Sequence, residues 1–410
     1  MTLARQIEDA RPRVIAALAG HCRDLDLAED GFADAVAALL ALTDGQRPAN
    51  VSGWLYVTAK RRIVDAVRSD ARRAALLARE ALTEDDMGDI LAFPDPFPDE
   101  RLRLIFACAH PAIAPDVRIA LALRTICGVA MDRLAAAFLV PTATLYQRLT
   151  RAKTKIRDAG IGFDVPERRH WPERIEAVLA TLELGYAVAY ADGAGALDAD
   201  LAPEVRRLVG LLAELVPGDP EVLGLAALVE LAESRRPARV DGNGMMVPLS
   251  QQDAARWDDA AIARAHGLMQ RAAAHGRSGP RQLQAAIHLT HARRKAEGST
   301  DWAAIVALYD MLAALRPAPA IATARAVALA RVDGAAAGLA ALDAIDPASV
   351  AHHRGWHSAS GHLLAELGQT ADAAAALERA LALAPPPAEA AYLQAARAAL
   401  APATVSSATR

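Results

Sequence analysis

Apolar residues recur along this chain at the three- and four-residue spacing of a helix face, and breaks in that spacing mark the elements. Before residue 80 the pattern predicts three helices, from about Leu3 to Cys22, Leu27 to Leu42 and Val51 to Leu82. The segment DGQRPANVSG at 44–53 separates the last two. In the second helix Leu27, Phe32, Val36 and Leu39 form the apolar face, and Asp26, Glu29, Asp30 and Asp34 make the rest acidic. The periodicity then lapses in LTEDDMGDILAFPDPFPDE, where acidic residues and Pro94, Pro96 and Pro98 suppress regular structure. Residues 1–80 are therefore expected to form one helical domain, followed by an acidic linker over 81–99.

Helical spacing resumes over 100–162. A scaffold helix ends near Gly128, a short helix runs from Met131 to Phe138, and a turn through Pro141 starts another. That last helix carries Leu145, Leu149, Ala152 and Ile156 at spacings of four, three and four, and the set reads as a helix-turn-helix. Beyond the turn-rich GIGFDVPERRHWP, Ala/Leu-rich helices run to the end, interrupted by RRPARVDGNGMMVPLS at 235–250. Gly334 and Gly368 lie 34 residues apart, each before an Ala-rich run, and Pro317 and Pro385 close similar runs two such periods apart. That is the tetratricopeptide (TPR) period. The expected order is a helical extension over 163–295, degenerate TPR-like repeats over 296–402 and a flexible tail over 403–410.

Composition supports an all-α fold class. Hydrophobic residues make up 53% of the chain but aromatics only 4%, which favours helices over β-branched, aromatic-rich sheets. A length of 410 residues implies several domains. The net charge of −4 gives no global sign of a nucleic-acid partner, so charge must be read locally.

In the helix after Pro141, Arg148, Arg151, Lys153, Lys155 and Arg157 occur with no carboxylate among them, and Thr144, Tyr146 and Gln147 near its start are placed for base contacts. Read alone, such a run is equally a solvated basic helix. Upstream, however, Lys60, Arg61, Arg62, Arg68, Arg72 and Arg73 share one helical stretch, opposed only by Asp65 and Asp70. Trp54, at the start of that stretch, can fill a core or stack on an unpaired base. The acidic helix before it suits a protein partner better than DNA.

Taken in order, LAEDGFADAVAALL, GWLYVTAKRRIVDAVR, the acidic linker and AFLVPTATLYQRLTRAKTKI resemble an extracytoplasmic-function (ECF) sigma factor of bacterial RNA polymerase. RLRLIFACAHPAIAP, RRPARVDGNGMMVPL, QLQAAIHLTHAR and DWAAIVALYDML extend the resemblance to the ECF group with a large, helical, TPR-like C-terminal extension. The resemblance implies that Asp26, Glu29, Asp30 and Asp34 dock on the polymerase core. It also implies that Trp54, Lys60, Arg61, Arg62, Arg68, Arg72 and Arg73 capture the melted minus-ten element, and that Thr144, Tyr146, Gln147, Arg148, Arg151, Lys153 and Lys155 read the minus-thirty-five duplex. Members of the group usually have Gln at the position of Ala33, Asn at that of Arg61 and Cys at that of Ala109, and an Asn-Glu-Gly-Tyr string where this chain has Glu183-Leu184-Gly185-Tyr186.

No phosphate-binding loop, nucleophile elbow or zinc-protease motif is present, so no enzymatic activity and no cofactor are expected. His353 and His357 in HHRGWHSASGH stand at i, i+4 but lack a neighbouring carboxylate or cysteine, and no metal site is assigned. Cys22, Cys108 and Cys127 are far apart, as befits a reducing cytoplasm. The N-terminus lacks a signal-peptide core, and the most apolar stretch, AVLATLELGYAVAYADG, contains Glu183 and two glycines, so no membrane segment is expected. The C-terminal half is expected to present a surface for a regulatory protein or ligand, or else to stabilise the N-terminal domains by docking. Two other classes compete with the sigma reading. One is a helical-repeat interaction protein whose sigma-like half no longer supports initiation, and the other is an ordinary regulator that uses the helix-turn-helix on duplex DNA.

Overall fold

The computed structural model describes residues 2–22, 24–74, 102, 105–106, 108–110, 113–125, 129, 131–138, 140–158, 168–191 and 201–400. The chain is all-α. It divides into two compact units, Met1–Val188 and Ala189–Arg410. Among the described residues the only β pairing is an isolated bridge between Val240 and Met246, and no helix is long and apolar enough to cross a membrane. The expected acidic linker, Cys127 and the C-terminal tail lie outside the described residues.

Unit 1 begins with three mutually packed helices, α1 (Leu3–Cys22), α2 (Leu25–Leu40) and α3 (Val51–Ala74). Helix α2 starts two residues before the periodicity suggests, because the Asp24 side chain caps it, accepting from the backbone N–H groups of Asp26 and Leu27 at 2.9 and 3.2 Å. Its buried face also differs from the expected one. Leu25, Ala28, Gly31, Phe32, Ala35 and Leu39 are inside, whereas Leu27 and Val36 are only partly covered. Close approach to α3 explains the shift: a Cβ on Gly31 would stand 2.7 Å from Ile63 Cγ1, so the small residues face the neighbouring helix.

The second part of unit 1 holds α4 (Pro115–Thr125), α5 (Met131–Ala137) and α6 (Thr142–Asp158), in the positions that the sequence pattern indicates. Leu145, Leu149, Ala152 and Ile156 are all buried, which anchors α6 by one stripe. Helix α7 (Trp171–Ala191) then packs back, with Trp171 5.3 Å from the Phe106 ring and the Arg174 guanidinium donating to the Phe106 carbonyl at 3.1 Å.

Unit 2 is a succession of helices that pack on their sequence neighbours: α8 (Leu201–Leu215), α9 (Pro220–Ser234), α10 (Asp259–Ala273), α11 (Pro280–Glu297), α12 (Trp302–Leu315), α13 (Pro319–Asp333), α14 (Ala335–Asp343), α15 (Pro347–Val350), α16 (Arg354–Glu366), α17 (Thr370–Ala382) and α18 (Pro387–Ala398). Its core is a chain of local clusters. Leu283, Ile287, Ile305, Leu312 and Ile321 join α11 to α13, Ala326, Leu342 and Leu363 join α13, α14 and α16, and Leu377, Ala380 and Leu393 join α17 to α18. Gly334 and Gly368, the pair spaced by 34 residues, both end helices at positive φ, 90° and 75°, a conformation open mainly to glycine.

The Gly/Pro-rich interruption after α9 is tied down by side chains. Arg239 donates to the Tyr190 carbonyl at 2.8 Å, with its guanidinium 3.5 Å from that ring centre. Arg294 donates to the carbonyls of Ser250 and Gln252 at 2.9 and 2.8 Å and lies over Trp257, while Lys295 donates to the Trp257 carbonyl at 2.9 Å. The Met246 N–H reaches the Ala388 carbonyl in α18 at 3.0 Å. What reads as a divider in sequence is thus a fastened connector in the fold.

Candidate polymerase and nucleic-acid interface

On α2, Asp30 and Asp34 face solvent, as does Ala33, while Asp26 and Glu29 are partly covered. On α3, Arg61 and Arg62 are exposed and Lys60 and Trp54 are partly buried, so Trp54 combines some core packing with some accessible ring. Arg68, Arg72 and Arg73 lie on the same helix, with side chains outside the described residues.

Opposite its buried stripe, α6 exposes Tyr146, Gln147, Arg148, Arg151 and Lys155, while Thr144 is partly covered. Arg148, Arg151 and Lys155 follow one another at i, i+3 and i+7, so they share a face. Thr150, Arg151, Thr154, Lys155 and Asp158 line a shallow hollow beside it. A helix held by one apolar stripe and exposing cations and amides along another can lie against a phosphate backbone and offer donors to base edges.

Lys153 is the exception within the basic set. Its Nζ lies 2.8 Å from Asp26 Oδ1 and 2.6 Å from Glu29 Oε2, across 127 and 124 residues of sequence. The Lys153 side chain keeps only 16% of its surface exposed, against 47% for Asp26 and 21% for Glu29. Burial lowers the lysine pKa, but the Glu29 and Asp26 carboxylates outweigh it and the net shift is upward, so the ammonium stays charged. Next to this contact Arg157 Nη1 stands 4.0 Å from Asp24 Oδ2, and Arg11 Nη2 stands 3.9 Å from Glu29 Oε1. Burial lowers the Arg11 pKa, partly offset by Glu29, and pushes the Cys108 thiol up to about 12, with Glu29 adding to the effect.

The structure therefore brings together residues that the sequence assigns to different partners: Asp26 and Glu29 from the polymerase set with Lys153 from the DNA set. Asp24 and Arg11 belong to the same cluster and escaped sequence reasoning. Asp24 carried a usable signal, since an Asp just before an apolar-periodic run is a helix cap. Nothing local marks Arg11, whose role arises only where α1 meets α2. In unit 2, His353 Nδ1 accepts from the Trp356 N–H and caps α16, and His357 is buried with Nε2 3.0 Å from the Ala351 carbonyl, so both have local structural roles.

Residues 7–73, which span most of α1 to α3, match the sigma-70 region 2 family, and residues 174–273 match a family of unknown function, DUF6596. An uncharacterized protein of Rhizobium meliloti (strain 1021) is 38% identical over 395 residues, covering 94% of this chain and 92% of that protein. No solved structure matches. The chain belongs to one family with the Rhizobium protein, and its N-terminal helices carry a sigma-70 region 2 domain.

Proposed function

We propose that the chain is an ECF-type sigma factor that binds core RNA polymerase and selects promoters, with a TPR-like C-terminal half that modulates it. The observation that carries this reading is the region 2 match, because it falls on the helices that bear the acidic α2 and the basic α3. On this reading Asp26, Glu29, Asp30 and Asp34 meet the polymerase core. Trp54 and the cations of α3 hold the melted minus-ten strand, Trp54 by stacking and the cations by phosphate contact. The face of α6 with Thr144, Tyr146, Gln147, Arg148, Arg151 and Lys155 reads the minus-thirty-five duplex. Two weak grips on one DNA molecule add through effective concentration.

The test is run-off transcription from a genomic promoter library with core polymerase. Promoter-directed transcripts that neither component makes alone are expected, and a chain that neither binds core nor yields any transcript would sink the reading. Whether the C-terminal half is needed can be asked in the same assay by truncation. A stop after residue 165 would also remove Trp171 and Arg174, which pack on Phe106, so the cut belongs in 192–200. Loss of transcription is expected; unchanged transcription would assign unit 2 another role.

A further inference from the structure

We propose that the surface of unit 2 made by α10 and the turn after it, centred on Arg271 and Arg277, grips the phosphate backbone of duplex DNA without reading its sequence. This grip is additional to α3 and α6, to which the sigma reading assigns DNA contact. From Ala260 to Ala296 the chain has no Asp or Glu but seven arginines and lysines, in a protein whose net charge is −4. The fold shows which of these cations are already committed. Arg264 lies 2.8 Å from Glu230, Arg281 3.6 Å from Glu221, Arg293 3.0 Å from Glu297 and Lys295 2.6 Å from Asp259, while Arg294 is held by the connector. Arg271 and Arg277 are exposed and meet no carboxylate or carbonyl among the described residues. In the rest of the described part of unit 2 the same holds only for Arg256, just before α10, and Arg379 on α17.

What surrounds these arginines selects the kind of partner. Arg264 and Arg271 stand two turns apart on one face of α10, about 10 Å along its axis at about 1.5 Å per residue. Despite its pairing with Glu230, Arg264 keeps 49% of its side-chain surface exposed. Ala260, Ala263, Gln270 and Ala274 are exposed beside them, and none of the large exposed apolar side chains lies on α10. A protein partner needs an apolar centre to its interface, which this face lacks. A phosphate backbone needs cations and room to approach, which small side chains leave. Gln270, His266 and His275, all exposed, add N–H donors for phosphate or sugar oxygens. Gly276, at φ 65°, turns the chain just past α10, ahead of Arg277. The nearest carboxylates in sequence stand at the other end of the helix, where Asp258 caps it and Asp259 meets Lys295. The adjacent N-terminus of α11 is already occupied, since Glu221 accepts from the Arg281 and Gln282 N–H groups at 3.0 and 3.2 Å. Arginines that no neighbour orients suit a uniform backbone better than one base edge.

The test is fluorescence anisotropy of a labelled duplex of random sequence, titrated with the full chain over a range of salt and with no polymerase present. The double variant Arg271→Ala, Arg277→Ala removes two backbone contacts. Its log-log slope of affinity against salt should be shallower by about 1.8, at about 0.9 per contact, and its affinity at about 0.1 M salt should fall about ten- to fifty-fold. Arg379→Ala, which removes an equally exposed arginine from α17, should leave slope and affinity unchanged. Neither variant removes a described contact, so both should keep the wild-type circular dichroism. Failure of the full chain to bind the duplex, an unchanged slope in the double variant, or an equal change in Arg379→Ala overturns the proposal. So does a double variant that keeps its duplex slope but loses affinity for core polymerase or for phosphatidylglycerol vesicles, which would assign the face to an acidic protein or to a membrane. Run-off transcription separates this proposal from the sigma reading. Absence of transcripts with the expected change of slope sinks the sigma reading alone, whereas normal transcripts with an unchanged slope sink the backbone grip alone.

Discussion

The connector of unit 2 and the contact between α2 and α6 in unit 1 hold their cations in different ways. At the connector of unit 2, Arg239 donates to the Tyr190 carbonyl and Arg294 to those of Ser250 and Gln252, and each also lies over an aromatic ring; Lys295 is shared between the Trp257 carbonyl and the Asp259 carboxylate. In unit 1, Lys153 ends on two carboxylates, one of them about half open to water. A carbonyl is a neutral acceptor fixed by the backbone, and leaving it unmet costs stability. A partly exposed carboxylate can return to water or meet another cation at little cost. Cations of the first kind belong to the fold; a cation of the second kind can be exchanged for a ligand.

The strongest way to break this contrast is Arg294→Ala, which removes two charge-assisted hydrogen bonds and the Trp257 contact together. A loss of about 2–4 kcal/mol is expected in urea denaturation followed by circular dichroism. A change below about 0.5 kcal/mol would mean that the connector is not fastened by this side chain.

Acid tests the same unit by another route. His288 and His291 pack near Arg235, and burial together with that guanidinium holds His288 well below the ordinary histidine range and His291 at about 4. Their folded values lie below the unfolded value of 6.5, so between pH 6.5 and about 4 the unfolded chain takes up protons that the folded chain refuses. Stability is complete above about 6.5 and falls as the pH drops. His291 alone accounts for about 2–3 kcal/mol by pH 4.5. The urea midpoint should fall between pH 7.5 and 4.5, and His291→Gln should flatten part of that slope; parallel slopes would remove His291 from the explanation.

The smallest effect is expected where the contrast is sharpest. Lys153→Gln removes two close ion pairs yet should change stability by only about 1 kcal/mol or less, because Asp26 is about half exposed and Glu29 keeps Arg11 Nη2 at 3.9 Å. Thermal denaturation decides this. A loss above about 3 kcal/mol would place Lys153 among the structural cations and would leave no exchangeable contact.

Much of the architecture is legible in the chain. The spacing of Leu145, Leu149, Ala152 and Ile156 placed α6 and its buried stripe, and the glycines at 334 and 368, read as marks of a 34-residue period before Ala-rich runs, stand at helix ends with positive φ. These signals are local: a helix face repeats every three or four residues, and a positive φ is a property of one residue. The exposed cations of α6 were legible for the same reason, since a face opposite a buried stripe is open by default. The α2 face was read less well, because its contact with α3 is made by small residues whose burial follows from helix proximity and not from hydrophobicity.

By itself, then, the sequence determined the helices, their caps and terminators, and the supply of acidic and basic faces, because all of these depend on residues within a few positions of one another. Only the tertiary structure decided which charges meet. Lys153 looks like its neighbours on α6, and its pairing with Asp26 and Glu29 depends on how two helices more than a hundred residues apart in sequence are brought face to face. The same holds for the connector, whose glycines and prolines read as a gap until Arg294 and Lys295 from a later helix reach its carbonyls. Ion pairs and carbonyl contacts across such separations leave no periodic trace in the chain, since complementarity of charge is shared by many pairs that never touch.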